Sequence, residues 1–367
     1  MKIFCSDCGS TGDLNLKKWH CQCGGAWEPV EQKTFDKELI AQSDSSLWRY
    51  KRLLPIELRQ SSISLGAGWT PLVPVEYEGH EILFKLEYLM PTASFKDRGV
   101  EVMFNWLHTR GVKHVVEDSS GNAGASVAAY AARTGIEAEI YAPEHTSPVK
   151  LAQISIYGAR VHRVFGPRIK ATEAAVQAVK MGAVYASHAY NPVYLLGQQT
   201  AAWEVWEQLG HKVPDWYVVP VGQGGKLLGL WLGFQRLLAA GLIEKTPRLV
   251  AVQPALLNPL CRAYNQNLTK LPVIERKRSS MAEGLAIPKP VRWKRMLQAL
   301  KKSQGKCIAV EEEEILSAHN KLARIGFYVE PTSAVVAAAL PQLYEVAEQR
   351  ETIVVSLTGS GLKCSLS

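Results

Sequence analysis

Pro91-Thr92-Ala93-Ser94-Phe95-Lys96-Asp97-Arg98-Gly99 is the stretch on which the fold of this chain turns. It follows an apolar run at residues 82–87 that reads as a strand. Beyond it, Val100, Met103, Phe104 and Leu107 recur at helical spacing, so a helix begins near Lys96. A lysine at a helix start beside Arg98 is poorly placed for an ordinary surface cation, because the positive neighbour and the helix dipole both disfavour its charge. Imine chemistry needs a lysine in that condition. By itself the segment also suits a solvated lysine at a helix end, so its meaning rests on what surrounds it.

Outward from Lys96, short apolar runs alternate with amphipathic ones. Strands are expected at 114–117, 137–141, 160–164, 215–221, 248–253 and 353–357, and helices at 122–134, 148–157 and 168–181. That alternation predicts α/β architecture with parallel sheets. Residues 1–30 read as a separate Cys-, Gly- and Trp-rich module, and 31–44 as a polar linker. A small α/β domain is expected at 90–190, and a larger one built from 45–89 with 191–367. The acidic run Glu311-Glu312-Glu313-Glu314 reads as the opening of a helix, where negative charge is favoured.

Three glycine turns follow expected strands. Ser119-Ser120-Gly121-Asn122-Ala123-Gly124 opens a helix and offers free N–H groups and one amide to an anion or a hydroxyl. Gly222-Gln223-Gly224-Gly225-Lys226 also opens a helix. Its glycines allow close approach to a phosphate, and Lys226 adds charge. The dinucleotide spacing fails, because the third glycine falls at Gly229 and the next strand ends in Gln253 rather than an acid. A single phosphate is therefore preferred. Thr358-Gly359-Ser360-Gly361 follows the last strand, where Thr358 can meet a ring nitrogen at the strand's carboxyl end. Each turn alone also suits a plain cap or a terminal turn.

Taken in order, these segments resemble the fold-type II, tryptophan-synthase-β-like enzymes that use pyridoxal phosphate, and threonine synthase most closely. The segments Ser94-Phe95-Lys96-Asp97-Arg98-Gly99, Ser119-Ser120-Gly121-Asn122-Ala123-Gly124-Ala125-Ser126, Ala129-Tyr130-Ala131-Ala132-Arg133, Glu330-Pro331-Thr332-Ser333-Ala334 and Leu357-Thr358-Gly359-Ser360-Gly361-Leu362-Lys363 carry the likeness, together with the turn at 222–225. It spans roughly residues 45 to 364. The resemblance implies two α/β domains with the cofactor between them. Lys96 is then the Schiff-base lysine, and once freed it acts as general base and acid at Cα and Cβ. Asn122 meets the cofactor's 3′ oxygen, Gly222, Gln223, Gly224 and Gly225 hold its phosphate, and Thr358 faces its pyridine nitrogen. The implied reaction is a lyase step, converting O-phosphohomoserine and water to threonine and phosphate. A small amino-acid substrate and a homodimer are implied as well. Three positions depart from the resembled pattern. Tyr194 stands where an arginine associated with the substrate phosphate is common, and Gln199 where a lysine is. Cys364 replaces a common Asp. Lys150, Arg168 and Lys226 are the candidate replacements for the missing charge.

The first module carries Cys5-x2-Cys8 and Cys21-x-Cys23. Four thiolates across a short loop suit a tetrahedral, structural zinc, and Gly9, Gly24 and Gly25 suit tight knuckle turns. Cys261, Cys307 and Cys364 read as inert thiols.

Composition narrows the classes. The chain has 367 residues, 47% hydrophobic and 21% charged, enough for a sizeable core. Its net charge of +8 is spread along the sequence, as on a solvated surface, rather than gathered into a nucleic-acid footprint. The polar start with its two cysteines does not read as a secretory signal. The most apolar stretch, 227–243, is broken by Gln235 and Arg236 and does not read as a membrane span. A cytoplasmic protein is expected. Two alternatives to a threonine-synthase-like lyase remain. One is an ammonia-lyase of the threonine or serine dehydratase type, and the other a non-catalytic nucleic-acid binder using Lys17, Lys18 and Trp19 on the cysteine module.

Overall fold

A computed structural model describes residues 1–30, 34–57, 63–146, 148–275 and 278–364. The expected linker therefore lies partly outside the described residues, at 31–33. The chain opens with three short strands, β1 (Lys2–Cys5), β2 (Thr11–Asp13) and β3 (Trp27–Pro29), and two longer ones, β4 (Leu72–Tyr77) and β5 (His80–Leu86). Alternation then sets in: α1 (Lys96–Thr109), β6 (His114–Glu117), α2 (Asn122–Thr134), β7 (Glu137–Pro143), α3 (Pro148–Ile156), β8 (Arg160–Val164), α4 (Arg168–Lys180) and β9 (Val184–Tyr185). Next come α5 (Pro192–Gln198), α6 (Thr200–Gln208), β10 (Trp216–Pro220), α7 (Gly225–Ala239), β11 (Arg248–Pro254), α8 (Pro259–Asn265) and α9 (Trp293–Lys302). The chain closes with β12 (Lys306–Val310), α10 (Glu312–Arg324), α11 (Pro331–Ala338), α12 (Leu340–Tyr344) and β13 (Ile353–Leu357).

These elements form two compact units. The first comprises Met1–Gly68, Met90–Gln198 and the tail from Lys363. It holds an antiparallel sheet in the order β2-β1-β3 and a parallel sheet in the order β8-β7-β6-β9. The second comprises Trp69–Leu89 and Gln199–Leu362. Its sheet runs β12-β11-β10-β13-β5-β4, parallel except for the edge strand β4. Every residue of β10 and β13 is buried, as central strands covered on both faces require.

The expected partition placed 45–68 and 191–198 with the larger domain, whereas in the structure both group with the first unit. Long-range polar contacts explain this. The Ile63 N–H donates to Asn105 Oδ1 at 2.8 Å and Ser64 Oγ donates to Glu101 Oε1 at 2.7 Å, tying this segment to α1. Helix α5 meets α1 through glycine, since a Cβ at Gly99 would lie 2.3 Å from the Tyr194 ring. The acidic run opens α10 as expected, with the Glu311 N–H donating to Glu314 Oε2 at 2.7 Å. Residues 227–243 fall largely in α7, and no helix among the described residues is long and apolar enough to cross a membrane.

Candidate functional site

Lys96 is the first residue of α1 and is half-buried. Its immediate neighbours are locked. Asp97 is fully buried, and its carboxylate accepts from Thr92 N–H at 2.7 Å, Thr92 Oγ1 at 2.6 Å and Ser126 Oγ at 2.5 Å. Burial pushes the Asp97 carboxyl above its usual range, and these three donors pull it back. The Ser126 bond joins the first turn of α1 to α2, which begins at Asn122, so Lys96 and Asn122 stand on helix starts held by one hydrogen-bonded pair. Two residues before Lys96, the buried Ser94 Oγ has no hydrogen-bond partner among the described residues.

Sequence reasoning missed a second acid in this unit. Glu117 ends β6 and His188 follows β9, its parallel neighbour, so both sit at the carboxyl edge where α/β sheets bind ligands. His188 Nδ1 and Glu117 Oε1 are 2.8 Å apart. Burial, then the charge of Asp118, push the Glu117 carboxyl well above its usual range, while Arg168 and Lys96 lie within electrostatic reach and lower it. Nothing local marks this pair, whose members are 71 residues apart in the chain.

In the second unit, β10 and β13 are paired and parallel, with Val218 opposite Val355. The glycine turn and Thr358 therefore leave the carboxyl ends of neighbouring strands. Gly224 has φ +83°, the left-handed region that glycine adopts without strain, and it caps α7. A Cβ there would lie 1.9 Å from Met296 Sδ, and one at Gly222 would lie 2.9 Å from the Gly284 carbonyl oxygen. Gln223 Oε1 accepts from the Val291 N–H at 3.1 Å. Gln253, read from sequence only as the missing acid, donates to the Val221 carbonyl at 3.1 Å, just ahead of the turn. The Thr358 N–H donates to Ser333 Oγ at 2.7 Å, but Thr358 Oγ1, in a residue 1% exposed, has no partner among the described residues. A bare backbone turn at a helix start and a buried orphan hydroxyl fit the phosphate and ring nitrogen of pyridoxal phosphate. Lys226 does not fit the charge expected of it. Its ammonium is buried in an ion pair with Glu87.

Two of the three departing positions are buried. Tyr194 is 1% exposed, packed on Gly99 and edge-on to His188 with ring centroids 6.1 Å apart. Gln199 is fully buried with neither amide atom hydrogen-bonded among the described residues. Cys364 is half-buried, beside Lys363, whose ammonium donates to the Thr92 carbonyl at 2.9 Å. The side chain of Lys150 lies outside the described residues, and Arg168 is exposed at the start of α4.

The four N-terminal cysteines converge. All four sulfurs lie within 4.8 Å of one another, with Cys5–Cys23 and Cys8–Cys21 both at 3.5 Å. Tetrahedral zinc with bonds of about 2.3 Å sets sulfurs about 3.8 Å apart, so the set fits. Trp19 packs edge-on against Tyr185 at 4.9 Å and Tyr190 at 4.8 Å. That placement uses the ring which a nucleic-acid surface would need for stacking.

Residues 63–359 match the family described as pyridoxal-phosphate dependent enzyme. Threonine synthase of Methanocaldococcus jannaschii is 34% identical across 98% of this chain and 92% of its own length. That of Mycobacterium tuberculosis is 33% identical across 86% of this chain and 87% of its own. Among solved structures, a T.th. threonine deaminase matches with TM-score 0.68 and 27% identity, over 79% of this chain and 92% of that one. Maize serine racemase, at 22% identity and TM-score 0.68, shares the fold, over 80% of this chain and 88% of that one. With the family match covering residues 63–359 and relatives 33–34% identical along most of its length, the chain belongs to the pyridoxal-phosphate dependent enzymes of fold type II, and is threonine-synthase-like.

Proposed function

We propose that this enzyme converts O-phosphohomoserine and water to threonine and phosphate, with Lys96 as its Schiff-base lysine. The cofactor, when bound, supplies an electron sink for the pair left at Cα. Lys96 carries protons to and from Cα and Cβ. Asn122 hydrogen-bonds the 3′ oxygen, the N–H groups of Gly222, Gln223, Gly224 and Gly225 hold the phosphate, and Thr358 meets the pyridine nitrogen. A hydroxyl partner, unlike a carboxylate, does not hold that nitrogen protonated. The observation that carries the reading is the pairing of β10 with β13, which sets a bare glycine turn beside a buried hydroxyl lacking any partner among the described residues.

A second reading, an ammonia-lyase acting on threonine or serine, is favoured by the uncharged, buried Tyr194 and Gln199. One assay separates the two. Purified yellow protein is offered O-phosphohomoserine, threonine and serine side by side. Phosphate release from the first is the expected result. Oxo-acid formation from threonine or serine, without phosphate release, transfers the assignment to the ammonia-lyases.

The four-cysteine ribbon holds a structural zinc, since all four positions are filled by protein sulfur. Metal analysis is expected to find about one zinc per chain. Stripping it with a chelator should speed amide exchange at residues 2–29 and leave that of β6 and β7 slow. Unchanged exchange in the ribbon after metal loss rules this role out.

A further inference from the structure

Four charged side chains are buried together in the second unit, and none belongs to the cofactor-binding set. Lys85, Glu87 and Glu204 are fully buried and Lys226 is 1% exposed. They form one hydrogen-bonded chain. Lys85 Nζ donates to Glu204 Oε1 at 2.7 Å, to the Thr70 carbonyl at 2.5 Å and to Gln208 Oε1 at 2.8 Å. Glu204 Oε1 also accepts the Thr70 N–H at 2.6 Å. Thr70 Oγ1 donates to Glu87 Oε1 at 2.8 Å, and Glu87 Oε2 takes the Lys226 ammonium. The chain thus runs from α6 past the end of β5 to the second residue of α7, and its two positive charges balance its two negative ones.

Stability alone does not call for such an arrangement. Each buried ion gives up several kcal/mol of hydration, and apolar side chains of similar volume commonly serve as well or better. Position suggests another task. Lys226 directly follows the glycine turn, in the first turn of α7, whose N–H groups have no partner within the helix. The turn itself is already held on its far side by Gly284, Val291 and Met296. Lys226 is the anchor on the helix side, and it reaches back to Glu87 at the end of the sheet.

We propose that the Lys226–Glu87 pair is a positioning device for the cofactor's phosphate, aiming the first-turn N–H groups of α7 and the glycine turn at it. This rests on the reading that residues 222–225 hold that phosphate. The test compares pyridoxal phosphate with pyridoxal, which forms the same imine but lacks the phosphate. Affinities are read from the imine absorbance of wild type and of the double variant Lys226→Met/Glu87→Gln, which removes both charges and keeps an acceptor for Thr70. The double variant should melt near wild type, bind pyridoxal as wild type does, and bind pyridoxal phosphate about tenfold more weakly, the weight of one charge-assisted hydrogen bond. Wild-type affinity for both aldehydes overturns the proposal, as does an equal loss for both, which marks a merely structural pair. Should the double variant not fold, the same ratio is read in Glu87→Asp, which keeps both charges but shortens the reach to Lys226. Wild-type protein that binds neither aldehyde overturns the cofactor reading and the pair's role with it. Wild-type protein that binds both equally well keeps Lys96 and rejects the phosphate turn.

Discussion

Lys96→Ala protein is expected to lose at least about 10⁴-fold in turnover and all of its imine absorbance, because the nucleophilic amine and the proton carrier vanish in one change. The fold should survive. Lys96 is half-buried at a helix start, and its neighbour Asp97 ties that turn to the rest of the unit. Asp97 holds Thr92 and Ser126, and both bonds remain in the variant. Stability should therefore fall only modestly, by about 1 kcal/mol, as Glu117 loses a positive charge within electrostatic reach. The measurements are the visible spectrum, borohydride labelling of the wild type against the variant, far-ultraviolet circular dichroism and the substrate assay. Full activity in the variant would remove Lys96 from the chemistry and the reading of the whole chain with it.

A large effect on stability is expected at Gly197. A Cβ there would stand 2.0 Å from the Arg98 carbonyl oxygen and 2.7 Å from Gly99 Cα, so the obstacle is backbone on both counts. No rotamer change relieves it, and α1 and α5 must separate. Overpacking of a core typically costs about 1–3 kcal/mol, and a backbone obstacle belongs at or beyond the upper end, so Gly197→Ala should lose about 3 kcal/mol or more. Gly99→Ala meets the Tyr194 ring instead, which has some freedom to tilt, and should lose less. Because Arg98 lies two residues from Lys96, separation of the helices should also shift the imine absorbance of any Gly197→Ala protein that folds. Denaturant midpoints of the two variants check the order. A Gly197→Ala midpoint equal to wild type would mean the helices do not approach as closely as the structure has them.

Much of the secondary structure of both units was legible because its signals are local. The bounds of β6, β8, α2 and β13 coincide with those expected from apolar periodicity and turn chemistry. The start of α1 at Lys96 and the helix opened by the acidic run follow from the same rules. The convergence of the four cysteines was legible too, since their spacing within a short loop leaves them few other arrangements.

Charged residues were read less well. Sequence reasoning assigned Lys226 to a phosphate because a lysine after a glycine turn has that use, yet Glu87, 139 residues earlier, takes its charge. Glu117, Lys85 and Glu204 drew no attention, since acids and lysines are mostly exposed and a sequence read locally assigns them to water. The grouping of 45–68 with the first unit escaped for a similar reason, as it depends on Asn105 and Glu101 reaching back some 40 residues.

The sequence by itself determined the chemistry class of this protein. A lysine at a helix start, three glycine turns after strands and a clustered set of thiols are all properties of short segments. Tertiary structure alone decided which strands are neighbours, placing β13, the last in the chain, between β10 and β5. It also decided which charges are neutralised in the interior. The reason is physical. Turn geometry and helix starts depend on residues a few positions apart, whereas burying a charge requires a partner that only the folded chain can bring.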